Sequence, residues 1–318
     1  ILILLLTIYS SVNGCGLHLP NPLGRHSRSI IGGTKVTAPG RWPWKVLLGS
    51  RDFDENLMMC GGTIIGEQWV LTAAHCLENR NYSTIGVAAG ITRIEDLEQA
   101  TWRKALDVIL HPGFDGNPVF NDIAILKLDV PLVFNNTVAS ICLPNPSQSI
   151  QDDAQAVITG FGNANVNING TDQVVTDMQL REAIVPIVPA DVCIEPWAQV
   201  VIEEAKMDPA KKQIVMEKLK EFSLICASSL AHGIHHGDSG GPLMMRATNG
   251  RWFEIGISSF IHCETKGCKN PSDGIRGDLF PKVFTDVRKY CDWIKETTGG
   301  EASCQDEEVT LEDVEINV

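Results

Sequence analysis

A chain of 318 residues, 44% of them apolar, is long enough to bury a sizeable core as one large domain or two small ones. A net charge of −13 argues against a nucleic-acid partner, and ten Cys point to an oxidising compartment. Seven acids and no base fall between Glu301 and Val318, leaving −6 for the remainder, so residues 301–318 are expected to form a disordered, solvated acidic tail.

The chain opens on ILILLLTI, an apolar run too short to span a bilayer, followed by small and polar residues. Residues 1–14 read as a signal peptide lacking its charged start, with cleavage expected between Gly14 and Cys15. No other apolar run is long enough to cross a membrane, so a secreted, extracellular protein with no membrane partner is expected. Asn81, Asn135 and Asn169 each open an N-x-S/T sequon, which accords with secretion and glycosylation.

Next comes HSRSIIGG, His26 to Gly33, in which Ser29 separates Arg28 from the Ile30-Ile31-Gly32-Gly33 run. From Trp44 to about Leu143 short β-branched runs are broken by Gly, Asn and Pro: KVLLG, GGTIIG, QWVLTA, ALDVIL and DIAILKL. A second series follows: QAVITGFG, LREAIVPIV, PLMMR, FEIGISSF and KVFTDV. Many short strands at even spacing predict an all-β sandwich or barrels, not alternating strand and helix. Two stretches depart from this pattern. Val200 to Phe222, rich in Glu, Lys, Met and Ala, predicts helix interrupted near Pro209; Tyr290 to Thr297 predicts a short C-terminal helix.

Three segments carry chemistry: VLTAAHC with His75, NDIAILKL with Asp122, and GDSGGP with Ser239. A Ser hydroxyl is a weak nucleophile at neutral pH and needs a base. The His that serves as base needs a carboxylate to fix its tautomer and to stabilise the imidazolium. Glycines around Ser239 allow a tight turn that leaves the N–H groups of Gly237 and Ser239 free for an oxyanion. Singly, a His beside Cys, an Asp before an apolar strand and a Gly-flanked Ser each fit structural roles. All three in the order His, Asp, Ser point to nucleophilic catalysis.

With these motifs the sequence resembles the chymotrypsin-like (trypsin family) serine proteases from about Cys15 to Thr297. Further carriers of the resemblance are IIGG, GRWPWKV, CGGTIIGEQWVLTAAHC, ICLP, TGFG, GISSF and PKVFTDVRKYCDWI. It implies two packed six-stranded antiparallel β-barrels and a serine endopeptidase working through an acyl-enzyme without cofactor or metal. His75 and Asp122 would come from the first barrel and Ser239 from the second, with Ser259 bracing Asp122. The implied domains are a propeptide over 15–29 and a protease domain over 30–300. The implied partners are a protein or peptide substrate, an activating protease, and serpin-type or other protease inhibitors. The alternative is a poorly active homologue that binds a partner protein.

The resemblance also implies Cys60–Cys76, Cys193–Cys226 and Cys15–Cys142, the last tethering the propeptide. Cys263 and Cys268 would then pair with each other, and Cys291 with Cys304, an assignment the sequence leaves open. Activation would free an α-ammonium at Ile30 that pairs with Asp238, so the productive cut lies after Ser29, one residue past the trypsin-like site at Arg28. Either an unusual activator or a trimming step serves this site, or the homologue activates poorly.

In the family, Gly233, Ile234 and His236 fall in the stretch lining the specificity pocket, with Gly233 at its floor. An Asp there gives trypsin-like specificity, so Gly233 excludes it. Ile261 and Lys282 would narrow or charge the pocket walls. A small aliphatic residue, an acidic residue or a blocked pocket all stay open, and Lys282 could instead snorkel out or pair with Asp273 or Asp278. His232, His235 and His236 suggest either a Zn²⁺-sensitive rim or ordinary loop residues.

Overall fold

The computed structural model describes residues 14–17, 33–49, 60–116, 119–162, 164–168, 171–175, 179–204, 206–221, 224–227, 237–260 and 281–314. After a short β1 (Thr34–Lys35) come β2 (Lys45–Gly49), β3 (Cys60–Gly66), β4 (Trp69–Thr72), β5 (Gly86–Ala89) and β6 (Thr101–Leu110). A small hairpin of β7 (Asp115–Gly116) and β8 (Val119–Phe120) precedes β9 (Ala124–Leu128). Strands β2-β3-β4-β9-β6-β5 close into a barrel. Five of its strands are almost wholly buried, with Val46, Ile64, Val70, Leu71, Ile125 and Leu126 inaccessible to solvent, whereas β6 is half-buried or exposed along its length. Each such side chain contributes about 1.5–3 kcal/mol of apolar burial.

The second half begins with β10 (Gln155–Gly160), a hairpin of β11 (Ala164–Ile168) and β12 (Thr171–Val175), and β13 (Arg181–Val188). Two helices, α1 (Ala190–Glu204) and α2 (Lys212–Glu221), intervene before β14 (Leu224–Ala227), β15 (Pro242–Ala247), β16 (Trp252–Phe260) and β17 (Lys282–Asp286). The order β13-β10-β15-β16-β17-β14, with β13 also paired to β14, makes a second six-stranded antiparallel barrel. In REAIVPIV of β13 buried and half-buried residues alternate strictly, so the pleat sends Ala183, Val185 and Ile187 inward. The terminal helix is α3 (Cys291–Thr297), preceded by a 3-10 turn at Val287–Tyr290. Two barrels and a short C-terminal helix agree with the architecture that the sequence resemblance implies. No helix among the described residues is long and apolar enough to cross a membrane.

The barrels meet through specific side chains. Trp44 Nε1 in the first approaches Met244 Sδ in the second at 3.0 Å. Trp42 packs edge-on against Trp252 with ring centroids 4.7 Å apart. Among the described residues, four disulfides join Cys15–Cys142, Cys60–Cys76, Cys193–Cys226 and Cys291–Cys304. Cys263 and Cys268 lie outside the described residues.

Two expectations need correction. The helical insertion starts at Ala190, ten residues before Val200. Ile194, Trp197, Ala198, Val201 and Ile202 have helical spacing and pack with Val215, Leu219 and Val283. Pro196 and the β-branched run hid that spacing in the sequence. The interruption near Pro209 is present: Asp208 Oδ1 accepts from Ala210 N at 2.9 Å, and Pro209 opens a 3-10 turn leading into α2.

The acid-rich segment is not free of the body through residue 314. Glu301 accepts a hydrogen bond from Trp69 Nε1 at 2.9 Å, and Asn145 Nδ2 donates to the carbonyls of Gln305 and Asp306. Gln148 brackets Val309 through both its amide N and O, and β18 (Leu311–Glu312) extends the sheet beside β15. Its acids serve as acceptors and counter-charges, as in Arg246–Glu312, while Val314 is buried. Composition counts charges but not the partners that the fold brings to them.

Candidate active site

His75 sits in a single 3-10 turn, Ala74–Cys76, directly after β4, with Cys76 bonded to Cys60 of β3. The turn is therefore held from both sides. Asp122 lies between β8 and β9, preceded by Asn121 in the left-handed region at φ 49°. Asn can occupy that region at modest cost, and its side chain is bonded on both ends. Nδ2 donates to the Gly113 carbonyl at 2.7 Å, and Oδ1 accepts from Tyr290 Oη at 3.0 Å.

The carboxylate of Asp122 is 1% exposed and receives three donors. Oδ1 accepts from the His75 backbone N at 2.8 Å, while Oδ2 lies 2.7 Å from His75 Nδ1. Ser259 Oγ donates to the same Oδ2 at 2.5 Å. Ser259 is skipped by the register shift where Ser258 pairs Phe284 and Phe260 pairs Val283, and a bulge of this kind re-aims a side chain. The Asp122 carbonyl accepts from Thr285 Oγ1 of β17 at 2.9 Å. The His75 side chain remains 24% exposed. Its Nδ1 is thus committed to Asp122, while the ring keeps access to solvent.

Ser239 stands on the turn before β15, where Gly237 and Gly240 take φ of 97° and 76°. A Cβ on Gly240 would overlap Thr72 Oγ1, so this turn packs against the residues that lead to His75. Gly61 N donates to the Ser239 carbonyl at 2.7 Å, Gly241 N to the Asp238 carbonyl at 3.0 Å, and Gly240 N to the Ser258 carbonyl at 2.8 Å. Asp238 is buried, and its Oδ1 accepts from Gly162 N at 2.9 Å.

A model of the Trypsin family matches residues 30–294. The chain belongs to the trypsin family. A curated relative, ovochymase of Halocynthia roretzi, is 30% identical over 264 residues, covering 81% of this chain and 14% of its own length. This trypsin-family chain therefore spans only a small part of that relative.

Of the other expected trypsin-family site residues, Lys282 is buried in β17 opposite Ala227. Ile30, Gly233, Ile234, His236 and Ile261 lie outside the described residues, as do His232 and His235. Cys60 Sγ, His75 and Cys76 Sγ come within 4.8 Å of one another, but both sulfurs are spent in a disulfide and offer no thiolate to a metal. Asn121 and Thr285 escaped the sequence reading. Only the left-handed preference of Asn before the apolar run could have singled one out.

Proposed function

We propose that the chain is a secreted serine endopeptidase, made as a zymogen and activated by cleavage before Ile30. The observation that carries this reading is the convergence of His75 N, His75 Nδ1 and Ser259 Oγ on one buried Asp122 carboxylate. With Nδ1 held there, Nε2 is the ring nitrogen left to take a proton from Ser239 Oγ. Ser239 Oγ attacks the substrate carbonyl as His75 accepts its proton, and the amides of Gly237 and Ser239 hold the oxyanion. His75 then protonates the departing amine. Water, deprotonated by the same ring, hydrolyses the acyl-enzyme and restores Ser239. This chemistry calls on no cofactor and no metal.

The family match supports the hydrolytic reading, and the signal-like start with four disulfides supports secretion. The segment around Cys15 is anchored in three ways: its disulfide to Cys142, Gly16 N to the Ser140 carbonyl, and Trp252 N to the Gly16 carbonyl. A propeptide over 15–29 would stay attached after cleavage. The new Ile30 ammonium would pair with Asp238 and order the oxyanion site. The partners are a protein or peptide substrate, an activating protease, and serpin-type or other inhibitors. An acidic or small aliphatic residue before the cut bond is favoured through Gly233, Ile234, His236, Ile261 and Lys282. Asn81 and Asn135 are exposed and offer glycan sites, joined by Asn169.

The reading is tested with an active-site-directed fluorophosphonate on secreted protein whose amino termini have been sequenced. Labelling of an Ile30-start form that vanishes in Ser239→Ala is the expected result. An Ile30-start form that takes no label would sink it and leave a protein-binding homologue.

A further inference from the structure

A cavity of about 280 Å³ opens in the first barrel beside the turn that carries His75. The Cys60–Cys76 disulfide forms part of its wall, together with Leu77, which caps that turn, and with Leu48 and Ile85. Against these apolar groups, the exposed Asn79, Arg80 and Asn81 supply polar ones. Leu77 N donates to the Ala74 carbonyl and Arg80 N to the Leu77 carbonyl, so the polar residues are joined to the His75 turn by consecutive backbone bonds.

Asn81 opens an N-x-S/T sequon, Asn81-Tyr82-Ser83. Its Oδ1 accepts from Ser83 N at 3.2 Å and from Ser83 Oγ at 2.8 Å, while Nδ2 has no acceptor among the described residues. Two donors on the amide oxygen polarise the group and make Nδ2–H more acidic. Asn135, in the other described sequon, differs, because its Nδ2 donates to the Val133 carbonyl at 3.3 Å. The Arg80 side chain also has no partner among the described residues. A sugar ring suits such a site: its C–H face packs on apolar walls, and its hydroxyl and acetamido oxygens accept from a guanidinium.

We propose that Asn81 carries an N-linked glycan whose first sugar lies over this cavity, so that the glycan walls the cleft beside the His75 turn. In its attachment Nδ2 loses a proton and bonds the anomeric carbon of a lipid-diphosphate-linked oligosaccharide, and the lipid diphosphate departs. The wall leaves small acylating reagents free to reach Ser239 but hinders protein substrates. The inference deepens the endopeptidase reading, on which it rests, by assigning a covalent restriction on large substrates.

The test uses the secreted full chain brought to its Ile30-start form. Mass spectrometry reads the occupancy of Asn81, fluorophosphonate labelling reads Ser239, and casein hydrolysis reads action on a protein. Asn81 should carry a glycan. Ser83→Ala, which removes the sequon but keeps Asn81, should raise casein hydrolysis at least about threefold while changing the labelling rate less than about twofold. Asn81→Gln should match it, which separates the lost sugar from the lost Ser83 hydrogen bond. Where neither variant is secreted, a peptide N-glycosidase acting on folded Asn135→Gln/Asn169→Gln protein, in which the Asn81 sequon alone remains, makes the same comparison. An unmodified Asn81, or a glycan whose loss leaves casein hydrolysis unchanged, would overturn the inference with the nucleophile reading left standing. No label in any form would remove that reading and the inference together.

Discussion

Ser259 Oγ of the second barrel donates to Asp122 Oδ2 of the first at 2.5 Å, so the carboxylate that orients His75 is completed from the opposite half of the molecule. Ser259→Ala leaves the two His75 contacts intact but removes one donor from a buried charge. Hydrogen bonds to charged groups contribute about 1.5–3 kcal/mol. The expected outcome is a roughly tenfold or greater fall in kcat with KM little changed, measured on the activated protein with a peptide ester.

Glu254 makes stability depend on pH. Burial raises its carboxyl from 4.5 to about 8, opposed by the Thr63 hydrogen bond and by Lys45. The folded value exceeds the unfolded one, so its contribution is complete below about pH 4.5 and is lost as pH climbs through about 8. Lys45 is lowered from 10.5 to about 8 by burial, opposed by Asp238 and Glu254, so its cost persists below about pH 8 and fades above it. Glu254→Gln should therefore flatten the decline in unfolding free energy between about pH 5 and 8, by on the order of a few kcal/mol. Urea titrations across that range read it directly; an unchanged slope would show that Glu254 stays ionised.

The segment after Cys304 is bound but lies away from His75. Ending the chain after Gln305 removes β18, the Arg246–Glu312 pair and the cover that Val309 and Leu311 give Ala247 and Phe253. A fall in melting midpoint of roughly 3–8 °C is expected, with fluorophosphonate labelling kept. A midpoint equal to the parent's would mean that these contacts add nothing.

Ser29 tests the activation scheme. Deleting it places Arg28 against Ile30, and trypsin should then generate the Ile30 terminus and raise activity at least about tenfold over the same treatment of the parent. The reason is that one extra residue adds roughly 3.5 Å of chain to a terminus that must fit a closed site. No gain on deletion would mean that the register of the cut is not the constraint.

Much of the fold was legible because it is written in local pattern. Short β-branched runs broken by Gly and Pro mark ten of the strands, and the His75, Asp122 and Ser239 motifs carry their own turn chemistry. The β5 strand GVAA and the β14 strand LICA passed unseen, since runs of four residues with no alternation resemble any buried segment. The start of α1 was missed for a related reason: its apolar spacing becomes decisive only with α2 and Val283 opposite.

What lies close in sequence could be read residue by residue: strand, turn, the glycines flanking Ser239. What lies far apart could not. Ser259 meets Asp122 across 137 positions, Thr285 meets it across 163, and Thr63 meets Glu254 across 191. Lys45 and Glu254 each look like stray charges in apolar strands until the barrels pack and bury both, with Thr63 donating to Glu254. Local propensity carries no information on which distant groups share a dry interior. There, desolvation makes a single charge or hydrogen bond far more consequential than it is at the surface.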